Sequence, residues 1–196
     1  PGIGNAEYLR SRGHESLSYA VRHRSDLSVV RIDIDNFAFL FVQHGRKIAE
    51  TILKNASETM MSFLRREDTA ARIGESQFAL VLPATNRIGC KRVAERMREA
   101  VNGLSFKIKG ETIKLTISIG YNSPMIRHNM SFDTLLEQAE KAKEQVEDDG
   151  GDGIACYEPQ MTLLRSHASD GEEALQEIDF NEILRRISDG KGSSLG

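Results

Sequence analysis

No apolar run in the sequence approaches the roughly 18 residues that a membrane span needs. A signal peptide is also missing. So is any excess of positive charge: 26 Lys and Arg face 29 Asp and Glu, for a formal net charge of −3. That balance gives no broad attraction to nucleic acid or to an anionic membrane, so any anion site must be local. Cysteine is scarce, and Cys90 and Cys156 form no spaced pattern. A disulfide framework is therefore not expected. The pair suits a reducing cytoplasm and reads as small buried hydrophobes. An initiating methionine is absent, and a chain that begins at Pro1 reads as a piece of a longer protein with additional domains.

What is present suits a globular domain. Of 196 residues, 39% are hydrophobic and 28% charged, enough for one full core and an appendage. Residues 6–24 are moderately periodic and predict a leading helix. From Leu27 to Asp35, Val30, Ile32 and Ile34 alternate with Arg31, Asp33 and Asp35, the period of a strand. Two carboxylates thus stand near its end, opposite the isoleucines. Residues 46–64 predict a helix, with Ile48, Ile52, Ala56, Met60 and Leu64 at every fourth position. Thr69 to Ile73 and Gln77 to Pro83 read as a hairpin around Gly74-Glu75-Ser76. Phe78 to Leu82 is continuously apolar, as in a strand covered on both faces. Residues 86–101 predict a helix with Gly103 as its C′ residue. Ile113, Leu115, Ile117 and Ile119 alternate with polar residues and predict one long strand. Ser131 can cap a helix lined by Leu135, Ala139, Ala142 and Val146, and Ile154 to Tyr157 predict a last short strand. The expected class is α+β, with a mainly antiparallel central sheet flanked by helices.

The expected domain covers residues 1–157. Residues 158–196 differ: Ser/Gly-rich ends surround one amphipathic segment, Glu173 to Ile187. It reads as a linker helix toward a neighbouring domain, with a dimerisation helix as the alternative.

Two places draw attention on chemical grounds. Asp33 and Asp35 approach the turn Gly74-Glu75-Ser76-Gln77, and strand-end carboxylates beside a tight turn can make an oxygen-ligand magnesium site. The plainer alternative is that Asp35 caps the next helix and Asp33 is a solvated edge residue. The second place is Arg65-Arg66-Glu67-Asp68. On a helix, Arg65 and Asp68 would share a face and could act together, or simply form a surface ion pair worth about 0–1 kcal/mol.

At these residues the sequence resembles the GGDEF family, whose active members condense two GTP into cyclic di-GMP. Gly2-Ile3-Gly4-Asn5 resembles the family's TGLPNR opening, and Arg31 to Phe37 resembles the strand carrying the first metal aspartate. Ala71-Arg72-Ile73-Gly74-Glu75-Ser76-Gln77-Phe78 occupies the ARYGGDEF signature. Ile117-Ser118-Ile119-Gly120 is similar to its SIGVA strand, and Ala139-Glu140-Lys141-Ala142 to the start of its ADKALYRAK helix.

Departures from the family pattern imply that the chemistry is lost. Glu75 puts an anion where glycine lets the nucleotide approach. Ser76 replaces a metal-binding carboxylate, and Gln77 replaces a glutamate implicated in metal binding and in activating the attacking hydroxyl. The guanine-contacting asparagine falls on Phe41 and its partner aspartate on Glu50. The cations that hold the triphosphate fall on Glu147 and Gly151. Only Asp33 remains of the metal ligands. The expectation is no catalytic residue, no metal and no cofactor, because phosphoryl transfer depends on that charge-stabilising set.

A second family site is matched. Arg65-Arg66-Glu67-Asp68 fits the RxxD inhibitory motif, with Thr69 to Ile73 as the five-residue spacer before Gly74. Arg96 takes the place of an arginine on the helix after the hairpin. The resemblance thus implies cyclic di-GMP binding at Arg65, Asp68 and Arg96. An arginine fork suits phosphate oxygens or the O6/N7 edge of guanine, and a carboxylate can accept from guanine N–H groups. The leading expectation is a cytoplasmic, catalytically inactive signalling module of a bacterial cyclic di-GMP protein. A homodimer is possible; nucleic acid and a membrane segment are not expected. The alternatives are a nucleotide-independent dimerisation or protein-interaction module, or a GTP-binding regulatory domain for a neighbouring phosphodiesterase domain.

Overall fold

The computed structural model describes residues 2–159. The predicted C-terminal segment, Glu173 to Ile187, lies outside the described residues.

Helix α1 (Ala6–His23) starts at Asn5, whose Oδ1 accepts from Tyr8 N at 2.9 Å. This side-chain cap satisfies one of the amides that a helix start leaves open. Strand β1 (Leu27–Ile34) follows and becomes the centre of a five-stranded sheet. The other strands are β2 (Thr69–Arg72), β3 (Gln77–Pro83), β6 (Ile117–Asn122) and β7 (Gly153–Cys156), in the order β2-β3-β1-β6-β7. β1 pairs antiparallel with β3 and β6, and β2 with β3, while β6 and β7 run parallel. The sheet is therefore mainly antiparallel, as the alternation of hairpins and helices implied.

Both faces of the sheet are covered. Val30, Ile32 and Ile34 of β1 pack with Ile52, Ala56 and Met60 of α3 (Arg46–Met61) and with Ala94 and Met97 of α4 (Arg87–Asn102). On the opposite face Leu27 and Val29 join Leu9 and Leu17 of α1 and Phe132, Leu135 and Ala139 of α5 (Phe132–Asp148). Ser131 Oγ caps α5 by accepting from Thr134 N at 3.3 Å. Cys90 is fully buried, and burial pushes its thiol up to about 12, so it serves as a small hydrophobe; Cys156 is only partly buried.

The structure corrects the sequence reading in several places. The helix expected over 46–64 ends at Met61 and is preceded by another, α2 (Phe37–His44). Gly45, at φ +82°, breaks the two apart. α2 escaped notice because Phe37-Ala38-Phe39-Leu40-Phe41-Val42 is a continuous apolar run without helical period. The expected long strand is also two. Glu111–Lys114 (β5) pairs with Ser105–Ile108 (β4) in a separate hairpin, turned through Lys109 and Gly110 at φ +50° and +86°. Ile117 begins the new strand β6. The break is silent in the pattern because Ile113, Leu115, Ile117 and Ile119 all reach the same core, so the period of two runs straight across it. Gly103 lies at φ −74°, a right-handed cap rather than a left-handed C′ residue.

Candidate functional site

The cleft at the end of β1 is organised around Asp33. Its carboxylate accepts from Ser76 Oγ at 2.6 Å (Oδ1) and from Gln77 Nε2 at 3.4 Å (Oδ2). The turn that supplies both groups is held by Ile73 N donating to Gln77 O at 2.9 Å and by Ile34 N donating to Ser76 O at 3.1 Å. Arg72 braces it further, donating from Nη2 to Glu75 O at 2.6 Å, while the Glu75 side chain stays exposed.

A residue that sequence reasoning missed completes this cluster. Lys143 of α5 is 1% exposed. Its ammonium Nζ lies 3.8 Å from Asp33 Oδ2, 3.2 Å from Glu140 Oε1 and 3.4 Å from Glu147 Oε1. Arg31 Nη2 binds the other oxygen of Glu140 at 3.0 Å. Close helix–sheet packing puts the ammonium there. A Cβ on Gly120 would stand 2.1 Å from Lys143 N and 2.3 Å from Ala139 O, so glycine is what lets α5 lie directly on β6. Burial raises the Glu147 carboxyl above its usual range; the Asp33 charge adds to the rise and Lys143 opposes it. A signal was available: residues 139, 142, 143 and 146 are a full i, i+3, i+4, i+7 stripe, and one of them is a lysine.

Asp35 does not cap the following helix. Its carboxylate accepts from Thr116 Oγ1 at 2.7 Å, Ser118 Oγ at 2.6 Å and Asp152 N at 2.8 Å. It therefore clamps the turn between α5 and β7, where Gly151 sits at φ +78°. A Cβ on Gly151 would come within 3.0 Å of the Asp35 carboxyl, so this position is closed by backbone shape as well as uncharged. Nor is Asp33 a solvated edge residue, given its hydrogen bonds. Among the described residues no group of three or more His, Cys, Asp or Glu side chains is arranged to hold a metal ion. Phe41 packs partly into the core from α2, with the Arg46 guanidinium 5.6 Å from its ring centre. Arg46 also lies 3.9 Å from Glu50, an exposed pair of little energetic weight.

The second candidate lies between α3 and β2. Arg65 and Asp68 do not share a helix face, because α3 has already ended. They close a turn instead: Asp68 Oδ2 accepts from Arg65 N at 2.7 Å, and Asp68 N donates to Arg65 O at 3.2 Å. Asp68 is 7% exposed, and burial raises its carboxyl despite the Arg65 amide and charge. Its Oδ1 is buried and meets no donor among the described residues. The Arg65 side chain points outward, 3.9 Å from Glu67. From α4, exposed Arg96 lays its guanidinium over the Phe63 ring, 5.1 Å from its centre. The fold thus brings Arg96 against the segment that carries Arg65, two residues beyond Phe63.

Known proteins share this fold. The family model for the diguanylate cyclase GGDEF domain matches residues 2–153. Diguanylate cyclase A of Treponema denticola is 33% identical over 122 residues, covering 61% of this chain and 32% of that protein. Diguanylate cyclase DgcP of Pseudomonas aeruginosa is 28% identical over 141 residues, covering 72% of this chain and 21% of that protein. The chain therefore spans between about a fifth and a third of the length of these relatives. Among solved structures, the active GGEEF domain of a diguanylate cyclase from Vibrio cholerae superposes with a TM-score of 0.74 at 21% identity, covering 80% of this chain and 99% of that one. The GGDEF domain of DgcB from Caulobacter crescentus, solved in complex with c-di-GMP, gives 0.75 at 18% identity, covering 80% and 89%. With the family model matching residues 2–153, most of its length, the chain belongs to the GGDEF family.

Proposed function

We propose that this GGDEF domain carries out no cyclase chemistry and instead binds cyclic di-GMP, at the surface formed by Arg65 and Arg96. The enclosure of Asp33 carries the first half of the reading. Magnesium chemistry needs carboxylate oxygens free to face a cation. Asp33 is met by a hydroxyl, an amide and an ammonium, all of them proton donors. Ser76 and Gln77 cannot supply the anionic ligand or the base that two-electron displacement at phosphorus requires. Glu147 and Gly151 offer no cation to a triphosphate. The residues present do not fit a catalytic divalent ion.

The Arg65 turn supports the second half. Asp68 fixes the backbone so that Arg65 projects outward, and Arg96 is held on the ring of Phe63, two residues before Arg65 in the chain. Two exposed guanidinium forks and an aromatic ring suit a ligand with phosphates and flat bases. In this reading Asp68 positions Arg65, since both its oxygens are turned inward. The domain acts within a longer cytoplasmic signalling protein, with residues 158–196 leading to a neighbouring domain.

A second reading, a nucleotide-independent dimerisation or docking module, is favoured by α2, where Phe39 is 63% and Val42 84% exposed. Two assays test the first reading, and the second of them separates it from the docking module. Incubation with GTP and Mg2+ or Mn2+ is expected to yield no cyclic di-GMP by chromatography; sustained turnover refutes the silent reading. Arg65→Ala is expected to weaken cyclic di-GMP binding about 10- to 150-fold, the loss of a charge-assisted hydrogen bond of roughly 1.5–3 kcal/mol. Arg66→Ala, of equal charge and one residue out of register, is expected to bind like the parent. Equal behaviour of the two variants refutes the site.

A further inference from the structure

Lys143 enters the proposed function only as one of the donors that meet Asp33, yet it is the most deeply buried charge in the domain's cleft. An ammonium that is 1% exposed is tolerated only when anions surround it. Here Asp33 reaches it from β1, and Glu140 and Glu147 from its own helix, at 3.8, 3.2 and 3.4 Å. Arg31 is the other cation of the cluster and is directed to Glu140. The ammonium cannot withdraw by a helix shift, because α5 is seated on Gly120 at backbone contact. In the ADKALYRAK run to which this helix is similar, the same position is a leucine.

We propose that Lys143 is a resident cation: its ammonium, ringed by the carboxylates of Asp33, Glu140 and Glu147, takes the place of a divalent cation beside Asp33 and excludes that ion by charge and by volume. The proposal rests on reading this cleft as silent and is independent of dinucleotide binding. With Lys143 present, three carboxylates face two cations. Without it, they face only Arg31 and form a half-buried anionic cluster, the chemistry that recruits a hard divalent ion.

The test is Mn2+ binding, followed by calorimetry and by paramagnetic broadening of the amide signals of Asp33 and Ser76. The parent domain is expected to show no saturable binding and no selective broadening below about millimolar Mn2+. Lys143→Met and Lys143→Leu are expected to gain one site at least tenfold tighter, which Asp33→Asn added to either variant removes. Lys143→Arg, which keeps the charge, is expected to gain none. Parent binding as tight as that of the Met variant overturns the proposal, and so does a folded Met or Leu variant that gains no site. If neither variant folds, the parent alone decides: selective broadening at Asp33 by sub-millimolar Mn2+ overturns it, and none sustains it. Mn2+ bound by the parent without GTP turnover would sink this inference while leaving the silent reading intact.

Discussion

Rebuilding part of the signature should harm this domain before it helps it. Ser76→Asp and Gln77→Glu restore two carboxylates next to Asp33. In the present structure those positions donate to Asp33 at 2.6 and 3.4 Å. The substitutions remove both donations, each worth about 1.5–3 kcal/mol to a charged acceptor when well formed. The Gln77 contact is long, so its share lies at or below the low end. They also place new anions roughly 4 Å from Asp33, where like charges repel by about 4 kcal/mol at an effective dielectric of 20. Lys143, 3.8 Å from Asp33, offsets part of that repulsion. The net expectation is a loss of about 2–4 kcal/mol for the double variant, read as a lower urea midpoint in EDTA at unchanged slope. Adding Glu75→Gly is expected to leave GTP turnover absent, because Phe41, Glu147 and Gly151 are untouched and catalysis needs positioning as well as metals. A double variant as stable as the parent in EDTA would refute the account of Asp33. A triple variant with sustained turnover would show that the other three positions had been overrated.

Gly120→Ala drives a methyl into the α5 backbone at 2.1 Å and should cost about 3 kcal/mol or more, seen as a lower denaturation midpoint. Asp68→Ala removes the acceptor for Arg65 N and should cost about 1–3 kcal/mol, whereas Asp68→Asn keeps an acceptor and removes a buried charge, so it should stay within about 1 kcal/mol of the parent. Because the folded-state Asp68 carboxyl is raised above 3.8, the native state binds its proton more readily than the unfolded chain. Its contribution to stability therefore falls as pH rises from 3.8 through the folded value, and Asp68→Asn should abolish that part of the pH dependence in urea titrations.

Most of the sheet was legible because burial wrote it into the pattern. Val30, Ile32 and Ile34 alternate for one core, and Phe78 to Leu82 run unbroken because both faces of β3 are covered. Where two elements share one core without a change of period, as at Thr116, the boundary left no mark. The hairpin turn and the departures from the family signature at Glu75, Ser76 and Gln77 were visible because they sit within a short linear motif. Lys143 was not, since its meaning depends on Asp33, 110 positions earlier in the chain, and on the close approach at Gly120. The Arg65 turn was misjudged for a related reason. The helical pattern continues past Met61, but α3 ends there, and Arg65 and Asp68 are instead joined in a separate turn by the Arg65 amide.

The most direct test of the central claim is a parallel calorimetric titration of the domain with cyclic di-GMP and with GTP, both in Mg2+. The account predicts saturable heat with cyclic di-GMP at micromolar or tighter affinity, about −8 kcal/mol or stronger, and none with GTP. Heat with GTP at similar affinity, or no heat with cyclic di-GMP at high micromolar concentration, would contradict it.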